Sequence, residues 1–313
     1  MSELLTRHAA QLLTEWFNQR YARSFSLTEE AARESETPVL LAADGEYRLA
    51  LAVAPVFQTE GPPGWRDGLD ILEARLSAGR GGAYLLWVPP GAIPPFEEPL
   101  ASDFTYRVLL AASPLSPGDR AEVQLPLRLG LGKLQDEGSY VSVQGGLASW
   151  WTQISEGVTG SYHLDSTALH RAPSGEEARR AIFRRIAEAT VGLQPGEVVT
   201  FEATEAWTVQ RLREGNGVAL VAGPPDMDPT GGIALRRLLR KRLLAANAAL
   251  DAIDAHLKGV ALVGIYEYIE EERAGVAIKA FDPTLHSRLD LVCVLVDGEV
   301  RPIFLPRTLP WAG

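Results

Sequence analysis

Cysteine is nearly absent. Cys293 stands alone in 313 residues, so no intramolecular disulfide can form and a reducing compartment is expected. Its neighbours Leu291, Val292, Val294 and Leu295 make it read as a buried thiol. Long apolar runs are missing too: no window reaches eighteen consecutive apolar residues, the length a membrane-spanning helix needs. The first 23 residues interleave Glu3, Arg7, His8, Glu15 and Arg20 with their apolar positions, unlike the core of a signal peptide. A soluble, cytoplasmic protein with no membrane partner is the expectation. Lysine is scarce beside arginine, and with abundant Ala, Leu, Pro and Gly this fits a high-GC bacterial source. Positive charge is in deficit overall. The formal net charge of −10 argues against a surface coated in phosphate-binding groups, yet it permits a local basic face.

The remaining composition is that of an ordinary globular chain, and its length suits two or three domains. Leu4, Leu5, His8, Leu12, Leu13, Trp16, Phe17 and Tyr21 recur at helical spacing and predict an opening helix of about five turns. After a polar connector, Thr28 to Thr37, Val39–Ala43 and Tyr47–Phe57 flank Asp44-Gly45 and predict a hairpin, since Asp-Gly accepts a tight primed turn. Trp65–Ser77 reads as a helix and Ala83–Val88 as a buried strand. A proline-rich loop, Pro89 to Pro99, follows, and Arg107–Ala112 reads as one more strand.

The middle of the chain is β-rich, with strands Ala121–Leu129 and Ser139–Val143 around a Gly130 to Lys133 turn and an irregular stretch from Trp150 to Gly160. It carries one helix, Glu176–Val191, capped by Ser174. The last third reads as a βαβ unit, Gly217–Ala222, Pro229–Leu257 and Val260–Ile269. A second Asp-Gly hairpin, Leu289–Val296 with Val300–Leu305, follows it. The predicted fold class is therefore α/β in the mixed α+β sense. It comprises an N-terminal α-β-β-α-β unit (1–115), a β-rich middle (116–215) and a C-terminal βαβ plus β-hairpin (216–313).

The helix followed by the Pro38 to Phe57 hairpin resembles the start of a restriction-endonuclease-like (PD-(D/E)XK) core. That resemblance implies an acid on one strand and an acid-x-lysine triplet on the next, jointly binding a metal. The slots here read Pro38-Val39 and Ala52-Val53-Ala54, so the implied scaffold has lost its catalytic motif.

Other constellations are incomplete. The strand, loop and helix from Val218 to Leu239 have the order of a phosphate cradle, but the loop lacks lysine and carries Asp226 and Asp228, and a helix capped by Asp228 with Pro229 at its first position explains it. Arg236, Arg237, Arg240, Lys241 and Arg242 crowd one predicted helix, and Arg179, Arg180, Arg184 and Arg185 crowd another. Both sets give basic outer faces that suit an acidic protein partner or a phosphate backbone. His163 and Asp165, two apart on an extended segment, point the same way and form a weak catalytic pair, with Ser166 pointing opposite. Glu267, with Glu270 to Glu272, follows a predicted strand, while Asp290 and Glu299 flank the second hairpin. Trp150 and Trp151 cannot share one face, so one is expected to serve as an exposed anchor.

Taken together, the residues predict a non-catalytic binding or scaffold subunit of a larger assembly. It would have a protein partner, nucleic acid as a further partner through Arg236, Arg237, Arg240, Arg180 and Arg184, no cofactor and no metal. The rival reading is a hydrolase or metal-dependent nuclease using His163 and Asp165, or Glu267, Asp290 and Glu299.

Overall fold

The computed structural model describes residues 2–32, 37–57, 61–78, 81–225, 232–264 and 287–312, with the side chains of 29–32 and 232–236 outside the description. These residues form six α-helices and twelve strands, a mixed α/β protein. The opening stretch runs α1 (Glu3–Tyr21), β1 (Ser26–Ala32), β2 (Val39–Asp44), β3 (Tyr47–Pro55), α2 (Trp65–Ser77), β4 (Ala83–Trp87) and α3 (Leu100–Ala112). Next come β5 (Arg120–Gln135), β6 (Ser139–Gly145), α4 (Trp151–Ser155), β7 (Gly160–Ser166), α5 (Glu176–Thr190) and β8 (Val198–Arg211). The chain ends with β9 (Gly217–Val221), α6 (Gly232–Asp251), β10 (Leu257–Val263), β11 (Leu291–Val296) and β12 (Glu299–Phe304).

Two compact units result. One joins residues 1–121 with 208–313, and the other is residues 122–207. The first and last of the three sequence segments thus lie largely in one unit, while the second unit falls inside the β-rich middle.

In the first unit, six strands follow the order β1-β2-β3-β10-β11-β12. β3, β10 and β11 run parallel, and the outer pairs β2/β3 and β11/β12 are antiparallel hairpins. The three parallel strands are buried on both faces, so their sequences read as continuous apolar runs. Apolar residues of α1 and α6 join them in a single core, among them Leu13, Phe17, Leu243 and Leu250. Each hairpin solves its turn differently. Gly45 (φ 62°) leads the first turn, because Asp44 still pairs with Tyr47, whereas Asp297 (φ 50°) and Gly298 (φ 78°) both adopt positive φ in the second. β4 pairs in parallel with β9 and antiparallel with the end of β8, Thr208–Arg211.

Several expectations are revised. Arg107–Ala112 belongs to α3, where Phe104, Val108 and Ala112 share a buried face at four-residue spacing. The connector expected from Thr28 to Thr37 begins inside β1, Ser26–Ala32, which pairs with β2. The Gly130 to Lys133 stretch is no turn: neither glycine adopts positive φ, and β5 continues through it. Gly175 caps α5 in place of Ser174, whose N–H donates to Glu122 instead. The irregular stretch after Leu147 forms a 3-10 turn (Ala148–Trp150) and α4. β9, α6 and β10 follow one another as expected, but β9 pairs with β4 while β10 pairs with β3 and β11, so α6 connects strands of two sheets.

In the second unit, β6 and β7 are parallel, β7 and β5 antiparallel, and β8 lies beyond β5. Alternation along these strands puts Leu129, Leu131, Val141 and Leu164 into one core with Ile182 and Ile186 of α5.

Candidate functional site

On α6 the outward charge between Arg237 and Lys241 is of one sign. Leu239, Leu243, Ala246 and Leu250 recur at four- and three-residue intervals and are buried, which fixes the rotation of the helix on the strands beneath it. Arg237, Arg240 and Lys241 consequently emerge on the exposed side with Leu244. None of the three cations forms an ion pair with a described residue. Arg242 turns to the flank, where its Nε donates to the Pro55 carbonyl at 3.0 Å. At the far end of the helix, Asp251 pairs with Arg288. The side chain of Arg236 lies outside the described residues, as do Asp226, Asp228 and Pro229 at the expected helix start.

The second basic helix, α5, is more self-contained. Arg180 pairs with Glu176 at 2.5 Å, Arg179 donates to the Pro173 carbonyl, and Arg185 donates to the Glu202 carbonyl. Arg184 is exposed. Of the two tryptophans, Trp150 packs half-buried against the core of the second unit, while Trp151 is 48% exposed and meets the Tyr140 ring edge-on at 5.9 Å between centroids.

His163 and Asp165 are neighbours on β7, and the His163 ring lies near enough to act on the Asp165 charge. Asp165 is exposed and accepts both the N–H and the hydroxyl hydrogen of Thr167, which hold its carboxyl below the usual range. Its neighbour Ser166 is fully buried, accepting from the Leu147 N–H and donating to the Gln144 carbonyl. Asp290 caps the start of β10 by accepting the Lys258 N–H at 2.8 Å. Glu299 is held by Arg120 and Arg301, and the Arg120 hydrogen bond lowers its carboxyl. Asp290 precedes β11 and Glu299 opens β12 after the turn, so a strand's length of about 20 Å separates them. Glu267 and Glu270 to Glu272 lie outside the described residues. Among the described residues, no three His, Cys, Asp or Glu side chains are grouped to hold a metal ion. Burial pushes the Cys293 thiol far up, away from nucleophilic use.

Sequence reasoning missed the buried polar groups of α2 and the second unit. Glu73 sits on the inward stripe of α2 beside Leu69, Leu72 and Leu76, and that misplaced charge was the available signal. Glu205, 7% exposed, accepts the backbone N–H and Nδ1 of His170, the Arg171 N–H and the Trp207 Nε1–H. A half-open cleft of about 620 Å³ lies along the first turns of α1, lined by Glu3, Arg7, Gln11, Glu214 and Asn216 with His8 at its wall. Its charges are of both signs. Among the described residues, no helix is long and apolar enough to cross a membrane.

Comparison with protein-family models, with curated proteins and with solved structures finds no match.

Proposed function

We propose that the protein works by contact, as a binding subunit of a larger assembly, and that the outer face of α6 engages the phosphate backbone of a nucleic acid. The observation that carries this reading is the set Arg237, Arg240 and Lys241, exposed together and without an ion pair to any described residue. At 1.5 Å rise per residue these cations fall within about 6 Å along the helix axis. Such a cluster acts locally in spite of the acidic whole, because charges beyond about 10 Å are screened at moderate salt. The likeness of the Pro38 to Phe57 hairpin to a nuclease core without its metal ligands also favours a nucleic-acid role.

The test is fluorescence anisotropy with labelled single- and double-stranded DNA and RNA across 50–200 mM salt. Neutralising roughly three phosphates gives log K a slope of about −2 to −3 against log salt. The combined change of Arg237, Arg240 and Lys241 to Ala should abolish most of that slope. Absence of binding by the native chain, or an unaltered slope in the variant, overturns the proposal.

A protein partner is the second reading. It is favoured by the exposed Tyr140 and Trp151 rings on the second unit, a pairing of the kind that anchors interfaces.

A further inference from the structure

We propose that Glu73 is a proton-operated clamp that ties the start of α1 to the outer edge of β9. Among the described residues, β9 ends its row of strands, with β4 on one side only. An edge of this kind presents bare N–H and C=O groups and invites another strand. Here side chains occupy it. On α2, Glu73 and Ser77 are one turn apart and accept the N–H groups of Leu220 and Val218, each at 2.8 Å. From α1, His8 Nε2 donates to the Gly217 carbonyl at 3.1 Å. Glu73 also hydrogen-bonds Ser2, whose Oγ accepts the Leu5 N–H and so caps α1. One carboxyl therefore holds both a helix start and a strand edge.

The surroundings make that grip depend on a proton. Ser2, Leu5, Phe57, Leu69 and Leu220 enclose Glu73 around a cavity of about 20 Å³, the size of a single water. Among the described residues, the charges facing it are Asp70 and Arg66, both on α2; α1 offers a hydroxyl and β9 backbone N–H groups. Burial first, then the Asp70 charge, raises the carboxyl from 4.5 to about 7, against the pull of the Leu220 N–H, Ser2 and Arg66. A group raised on folding stabilises most below its unfolded value, and the benefit is lost as pH rises through the folded value. The clamp is thus tightest at and below about pH 4.5, loosens progressively between 4.5 and 7 and stays at its weakest above neutrality, freeing the start of α1 and the β9 edge.

Denaturant unfolding of the full chain and of Glu73→Gln from pH 5 to 8.5 tests this. The variant keeps an acceptor for Leu220 and cannot titrate. The unfolding constant of the native chain, relative to the variant, should rise by up to about tenfold for each pH unit between 4.5 and 7, then level. A native-to-variant ratio independent of pH overturns the proposal. If the variant does not fold, hydrogen exchange at the Leu220 amide of the native chain decides: protection should fall across the same window, and constant protection refutes the clamp.

Discussion

Val39 of β2 lies directly across from Ala52 of β3, and neither side chain reaches solvent. On its other flank Ala52 pairs with Val260 of β10, and Ala54, two residues on, is equally enclosed. The positions where the nuclease resemblance implies metal ligands are filled by methyl and isopropyl groups in close-packed surroundings. A carboxylate there would be desolvated without a partner. Ala52→Asp should therefore lower the unfolding free energy by at least about 3 kcal/mol and create no site that added Mg²⁺ restabilises. Urea unfolding with and without Mg²⁺ checks both halves of this expectation.

His8 gives a pH dependence of the opposite sign to Glu73. Only 2% of it is exposed, and burial lowers its ring below the ordinary 6.5 despite its bond to the Gly217 carbonyl. The unfolded chain then binds a proton more readily than the folded one. The contribution of His8 is complete above pH 6.5 and is lost as pH falls through that value. His8→Gln keeps an N–H donor for Gly217 and removes the titration. Thermal unfolding of the two chains from pH 7.5 down to 5 should show the native chain losing stability relative to this variant.

In the second unit, Glu205 is the group whose loss should cost most. Glu205→Ala would strand the backbone N–H of His170 and the Trp207 indole N–H in a buried site, at about 1–3 kcal/mol for each unsatisfied donor. A drop of roughly 3 kcal/mol or more in unfolding free energy is expected, with a shift in Trp207 emission, while Glu205→Gln, which keeps an acceptor oxygen, should lose less. Equal losses in the two variants would show that the hydrogen bonds do not set the cost.

Legibility from sequence varied with the range of the forces involved. α1, α2 and both hairpins could be read because their signals are local: the spacing of Leu5, Leu12 and Leu13, the stripe Leu69, Leu72 and Leu76, and the Asp-Gly turns. β8 was missed. Its outward positions carry Glu202 and Thr204, and its inward row includes the buried acid Glu205, so the apolar alternation is broken by a residue whose partners lie elsewhere in the chain. The basic faces of α5 and α6 looked alike as sequence. They differ in structure because Glu176, Pro173 and Glu202 lie within reach of the α5 arginines, whereas the described surroundings of α6 offer such a partner only to Arg242.

By itself the sequence determined the class of the protein and most of its local elements, since helical periodicity and turn chemistry act between near neighbours. Tertiary structure alone decided that Leu51 pairs with Gly259, that β9 and β10 part company although α6 joins them, and that Glu73 meets Leu220. Strand pairing and the burial of a lone carboxyl are settled by which surfaces exclude water together, and that choice depends on the whole folded chain.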